Sequence, residues 1–233
     1  MMLSDRPEWL LFDLDNTLLD FSKSSRNSFL SMVQDIDSGL PKDELYLLYS
    51  RINHKLWEDR EAGLIEAEEL KLKRWDLFFN EIGHSMDPEL ANQSYFNGIR
   101  DHVEFVDFAQ DLLEHLKGKF RMMIVTNGLS EVQHSRIEIS DIGKYFEHIV
   151  VSDEIGSAKP QQAFFKHCED LMLSPDKSTV MVIGDTLKSD IKGANDYGYR
   201  SVWFNHDYLE RDRVNDPDHE INKLRQLLPI LGM

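Results

Sequence analysis

The sequence predicts a doubly wound α/β domain carrying a helical insert. Three observations predict it: five short apolar runs, helix-like segments between most of them, and one interval far too long for a single crossover. The runs are "WLLFD" near 9–13, "RMMIVT" near 121–126, "HIVVS" near 148–152, "TVMVIGD" near 179–185 and "RSVWF" near 200–204. They are rich in branched residues, do not alternate cleanly, and end in turn residues, as expected of parallel strands covered on both faces. The segments "FVDFAQDLLEHLKG", "SEVQHSRIEISDIG", "QAFFKHCEDLML" and "SDIKGANDYG" supply the intervening helices. Strand and helix in alternation point to a parallel sheet sandwiched by helices.

The long interval lies between the first and second runs and reads as helical throughout. "SKSSRNSFLSMVQDI" and "PKDELYLLYSRINHKLWEDR" come first, then "EAEELKLKRWDLFFNEIG" and "PELANQSYFNGIRD". Pro41 and Pro88 stand where a first helical position belongs, and Asp87 is placed to cap the last of these helices. Leu45, Leu48, Ile52 and Leu56 form one apolar stripe at helical spacing. A compact insert over residues 20–100 follows, leaving 1–19 and 101–233 as the sheet domain. Near the end, "ERDRVNDPDHE" reads as a solvated loop and "INKLRQLLPIL" as a C-terminal helix.

Composition excludes several classes of function. The 233 residues, 41% hydrophobic, suffice for a proper core. No uncharged apolar run approaches the length of a membrane span, and the N-terminal stretch reaches an acid too early for a signal-peptide core. A single cysteine, Cys168, excludes an internal disulfide and suits a reducing, cytoplasmic compartment. It falls on an apolar helix face, and Met122 and Met123 fall in a strand, so all three read as packing. The net charge of −16 argues against nucleic-acid binding, which needs clustered Lys and Arg. Such a field also repels anionic metabolites, so an anionic substrate here requires a local cation.

The chemistry gathers at strand ends. The first run ends in Asp13 and Asp15, the second in Thr126-Asn127-Gly128, the fourth in Gly184-Asp185-Thr186. Lys159 follows the third run in "SAKP", and Asp190 lies just beyond Asp185 in "GDTLKSD". Ligands of open parallel sheets sit outside the carboxyl ends of the strands, so these residues are delivered to one edge. Converging carboxylates need a hard cation, and Mg²⁺ with waters and a substrate phosphate suits such oxygen donors. An aspartate is ionised at neutral pH and can attack phosphorus without a base. Asp13 fills that role, while Asp15 protonates the leaving oxygen and then activates water. Lys159 and the Thr126 hydroxyl, with nearby backbone N–H groups at Asn127, would bind phosphate oxygens as charge builds.

Each signal alone has an ordinary explanation. An Asp after a strand is a common turn or cap residue, Thr-Asn-Gly a common strand exit, and a lysine before proline commonly solvated. A calcium-loop reading of "DLDNTL" fails because Leu18 stands where glycine is needed. There is no phosphate-binding "GK[ST]" loop, no "GxGxxG" and no "HExxH", and the histidines show no tight metal spacing. What carries the reading is all four signals, in this order, each at a strand end.

With "DLDNT", "IVTNG", "SAKP" and "GDTLKSD" in hand, the sequence resembles the haloacid dehalogenase superfamily of phosphatases. The resemblance implies a Rossmann-like three-layer core and makes the 20–100 insert a helical cap of the first cap type, closing over substrate. It implies Asp13 as nucleophile and Asp15 as acid and base. Mg²⁺ would be held by the Asp13 side chain, the Asp15 carbonyl and Asp185, with Asp190 supporting behind them. Thr126 and Lys159 would hold the transferring phosphoryl group. The cap stretch "NHKLWEDREAGLI" and the core stretch "VTNGLSEVQHSRIEISDIGKYF" are similar to bacterial 5′-nucleotidases acting on pyrimidine monophosphates. One departure is "HVEFVDFAQDLL", where relatives carry Pro and Gly before the helix.

The resemblance thus implies a Mg²⁺-dependent phosphomonoesterase for a small phosphorylated metabolite, a pyrimidine nucleoside 5′-monophosphate first among them. The alternatives are a sugar-phosphate phosphatase or phosphomutase on the same core, and a non-catalytic binding protein on an enzyme-like scaffold. The latter would be marked by loss of a motif residue, and none is missing. A dehalogenase leaves Asp15 and the metal carboxylates without purpose. Phe21 and Trp57 could stack on a base, although aromatic residues of a helical cap more often pack inside it.

Overall fold

The computed structural model of the protein describes residues 6–211 and 215–233. One parallel sheet contains β1 (Trp9–Phe12), β2 (Arg121–Thr126), β3 (His148–Val151), β4 (Val180–Gly184), β5 (Arg200–Phe204) and β6 (His219–Ile221), in the order β3-β2-β1-β4-β5-β6. Helices cover both sides, giving the Rossmann-like α/β fold with a helical cap. All five apolar runs form strands. The sixth strand corrects the loop assigned to 210–220, part of which lies outside the described residues. It is only three residues long and is fixed from outside: Ser201 N–H donates to the Asp218 carboxylate and Asn205 N–H to the Ile221 carbonyl. The C-terminal helix is also shorter than expected, a 3₁₀ turn at Leu224–Gln226 followed by one α-turn at Leu227–Ile230.

The chain divides into two compact units, one of Met1–Asp20 with Glu104–Met233 and one of Phe21–Val103. The second unit holds α1 (Phe21–Met32), α2 (Lys42–Glu61), α3 (Ala67–Glu81) and α4 (Pro88–Asp101). Asp87 caps α4, its carboxylate accepting from Glu89 N–H at 2.8 Å, and Pro88 opens the helix where a missing N–H does no harm. Pro41 stands one position earlier than expected, capping α2 rather than opening it. The buried stripe of α2 is Leu45, Tyr49 and Leu56, with Leu48 and Ile52 half-buried. Tyr49 displaces the aliphatic register because its ring stacks on Trp75 at 4.9 Å and on Phe29 at 4.8 Å. Phe21 and Trp57 are half-buried. Asn92, a formal glycosylation acceptor, accepts from Arg74 and from the Trp75 indole, so its side chain serves the interior.

In the first unit the apolar cluster on one side of the sheet joins Trp9, Leu11, Met123, Val125 and Val182 to Phe164, Phe165 and Cys168. The last three lie on one face of a single helix, Gln162–Leu171. Burial pushes the Cys168 thiol up to about 12, and it packs as a core group. Where the chain leaves and re-enters this unit, a short antiparallel neck forms. Val106 N–H donates to the Leu18 carbonyl at 3.0 Å, Asp20 N–H to the Glu104 carbonyl at 2.9 Å, and Leu19 bridges Phe105. Just beyond it, Phe108 adopts a left-handed φ of 68° before α5 (Ala109–Leu116), a conformation that favours glycine.

No described helix is long and apolar enough to cross a membrane. The sheet order reverses between β1 and β4, and the carboxyl ends of strands at such a reversal form the binding crevice of this architecture.

Candidate active site

Three neighbouring strands deliver the motif residues to that crevice. Register pairs Phe12 with Ile124 of β2 on one side and with Ile183 of β4 on the other. Asp13 therefore follows β1 at the same level as the ends of its neighbours, its N–H bonded to the Ile183 carbonyl at 2.9 Å. Thr126 is the last residue of β2, and Asp185 follows the last residue of β4. Carboxylate oxygens of Asp13, Asp185 and Asp190 lie within 4.8 Å of one another.

Lys159 sits among these carboxylates, 2% exposed. Its ammonium donates to Asp13 Oδ1 at 2.7 Å, Asp190 Oδ1 at 2.7 Å and the Val125 carbonyl at 2.8 Å. All three of its protons are thus used, so it acts on the crevice as a fixed charge. Asn127 explains why the loop holds Lys159 there: its amide accepts from the Lys159 N–H and donates to the Lys159 carbonyl, both at 2.9 Å. The Asn127 side chain thus clamps the lysine backbone, and the phosphate binding expected at this turn rests on its backbone N–H groups.

Asp190 reaches back from a π-turn, Leu187–Ile191, whose wider coil returns the carboxylate to the strand end. Its second oxygen accepts from Thr186 N–H at 3.1 Å. Gly184 gives it room, since a Cβ there would fall 2.3 Å from the Asp190 carboxyl carbon. Gly184→Ala is expected to displace Asp190 and release one contact of Lys159, lowering the unfolding midpoint by several degrees at roughly 1–3 kcal/mol. Thermal unfolding checks this; an unchanged midpoint removes the packing argument. The Asp185 carbonyl is pinned by the Trp203 indole N–H at 2.8 Å.

Asp15 belongs to a second network. Its Oδ1 accepts from Arg136, and its Oδ2 from Gln133 at 2.7 Å. The same Gln133 nitrogen donates to Thr126 Oγ1 at 2.8 Å, and Gln133 Oε1 accepts from Arg136 at 2.9 Å. Sequence reading missed Gln133, Arg136 and Trp203. The available signal for the first two was polar identity on a buried stripe: they lie with Val132 and Ile137 on the inward face of α6 (Ser130–Ser140).

Electrostatics follow from burial. Desolvation pushes the Asp13 carboxyl up to about 7, against the pull of Lys159 and with repulsion from Asp190 and Asp15. Burial also raises Asp185, helped by Asp13 and Asp190. For Lys159, burial disfavours the charge, but Asp13 and Asp190 outweigh it and hold the ammonium protonated. Three carboxylates against one ammonium leave an oxygen-lined crevice short of positive charge. A hard divalent cation fits that donor set.

A model of the haloacid dehalogenase-like hydrolases matches residues 10–204. The HAD-hydrolase YfnB of Bacillus subtilis is 31% identical over 224 residues, 96% of this chain and 95% of that protein. Its magnesium-bound crystal structure superposes with a TM-score of 0.88 at 30% identity, covering 98% of this chain and 100% of that one. The pyrimidine 5′-nucleotidase YjjG of Escherichia coli is 28% identical over 224 residues, 96% of this chain and 97% of that protein. The N-acylneuraminate-9-phosphatase of Mus musculus is 30% identical over 203 residues, 84% of this chain and 82% of that protein.

Proposed function

The chain belongs to the haloacid dehalogenase-like hydrolases, and from that premise we propose that it is a Mg²⁺-dependent phosphomonoesterase acting through an aspartyl phosphate on pyrimidine nucleoside 5′-monophosphates. The observation that carries this reading is the meeting of Asp13, Asp185 and Asp190 within 4.8 Å at one crevice, with Lys159 bonded to Asp13. Asp13, Asp185 and the Asp15 carbonyl would hold the ion, with Asp190 behind them. Bound there, Mg²⁺ would offset the carboxylates and the charge of the phosphoryl oxygens.

Asp13 attacks phosphorus as the ester P–O bond breaks, and Asp15 gives the leaving oxygen its proton. Asp15 then takes a proton from the water that attacks phosphorus, and the bond to Asp13 breaks, restoring the carboxylate. Thr126 Oγ1 already accepts from Gln133 and from Gly128 N–H, so its own proton is available to a phosphoryl oxygen. Lys159 keeps the Asp13 oxygen in place and lowers the repulsion an incoming dianion meets.

The nucleotide preference rests on likeness to YjjG over nearly the whole chain. Likeness to the N-acylneuraminate-9-phosphatase supports a sugar phosphate as the second reading. Phosphate release from a panel of nucleoside 5′-monophosphates and sugar phosphates decides between them: kcat/KM is expected to be highest for a pyrimidine monophosphate. EDTA is expected to reduce turnover to background and added Mg²⁺ to restore it. Turnover indifferent to chelation would remove the metal from the reading. The single, buried cysteine fits a cytoplasmic setting for such an enzyme.

A further inference from the structure

We propose that Arg136 and Gln133 are positioning residues that fix the Asp15 carboxylate for both of its proton transfers; this rests on the reading of Asp15 as acid and base. A carboxylate bonded through one oxygen still turns about its Cβ–Cγ bond. Asp15 is bonded through both, Oδ1 to Arg136 and Oδ2 to Gln133, and its plane is set. Gln133 also ties that plane to Thr126 Oγ1, so two separate strand ends share one reference.

The arrangement is built at a cost. Arg136 is fully buried, and interring a guanidinium is expensive unless its partners are fixed. Gly128 concedes its side chain to the same end: a Cβ there would lie 2.3 Å from Gln133 Nε2. A core that needed only filling would be served by apolar residues at both helical positions. The polar pair converges instead on one half-buried carboxylate beside the crevice.

Leaving-group chemistry separates positioning from mere support. Nitrophenolate departs from Asp13-bound phosphorus without a proton, whereas a ribose 5′-oxygen needs one. Hydrolysis of the aspartyl phosphate needs Asp15 in either case. In Arg136→Met and Gln133→Leu, kcat for a nucleoside monophosphate is expected to fall about 10²-fold, with KM changed far less. With p-nitrophenyl phosphate the first turnover should keep its rate, giving a burst close to one nitrophenolate per enzyme before a slow steady state. Arg136 Nη1 makes both bonds, to Asp15 and to Gln133, so Arg136→Lys, which keeps one charged nitrogen but shifts its position, should fall between and serves if Arg136→Met does not fold.

Loss of burst and steady state by one common factor, in protein unfolding at the parent's temperature, would overturn the proposal. Asp15→Asn is the companion measurement. If it shows no leaving-group dependence, the acid–base reading itself fails. If it does and the Arg136 and Gln133 variants do not, only the positioning role fails.

Discussion

Asp13→Asn is expected to lower kcat by about 10⁴- to 10⁶-fold, the scale on which removal of a covalent nucleophile is felt. The amide keeps the shape of the carboxylate and can still accept from Lys159, so the loss belongs to chemistry rather than to packing. Stability checks that distinction. A carboxyl whose proton affinity rises on folding costs stability as pH climbs from its ordinary value, and the cost is complete above about 7 for Asp13. Asparagine has no such proton to lose. In metal-free buffer at pH 8 the variant should therefore unfold at or above the temperature of the parent. Phosphate release together with a thermal melt makes the measurement; substantial turnover in pure Asp13→Asn would end the nucleophile assignment.

Lys159→Met has the largest expected effect on stability. It removes the cation that Asp13 and Asp190 share and leaves two carboxylates facing each other, 6% and 1% exposed. Breaking a buried ion pair from one side costs about 3–5 kcal/mol, which for a chain of this size lowers the melting temperature by roughly 10 °C. The lysine's proton affinity is raised on folding, so its contribution is present at all pH values below its ordinary range and is lost only in strong alkali. The defect should consequently be full above pH 7 and shrink as pH falls toward 4, because the Asp13 carboxyl, raised to about 7 on folding, is then protonated with or without its partner. Turnover should fall about 10²- to 10³-fold through lost charge stabilisation. Equal melting temperatures for variant and parent at pH 7 would show that Lys159 contributes no net stability in the crevice.

The parts of the crevice legible in the sequence are those governed by local rules. A strand that must end in a turn announces itself, and Asp13, Thr126 and Asp185 lie at such ends. Their convergence needs only the rule that parallel strands share a direction. What stayed hidden depends on distant partners. β6 has three residues, and its place is set by Ser201 and Asn205 rather than by its own apolar content. The inward role of Tyr49 follows from Trp75, beyond the reach of a stripe drawn through leucines. Asn127 holds the backbone of Lys159, 32 positions away, and no spacing rule links the two. Gln133 and Arg136 are polar residues on an inward helix stripe, but their common partner Asp15 lies 118 and 121 positions away.

The neck at Leu18–Asp20 and Glu104–Val106 bears on how such proteins diversify. Because the two crossing points are hydrogen-bonded to each other, the sheet is indifferent to how much chain is spliced between them; doubling an excursion costs only about 0.6 kcal/mol in closure entropy. A lineage could thus exchange the whole helical module for another and inherit the carboxylate crevice intact.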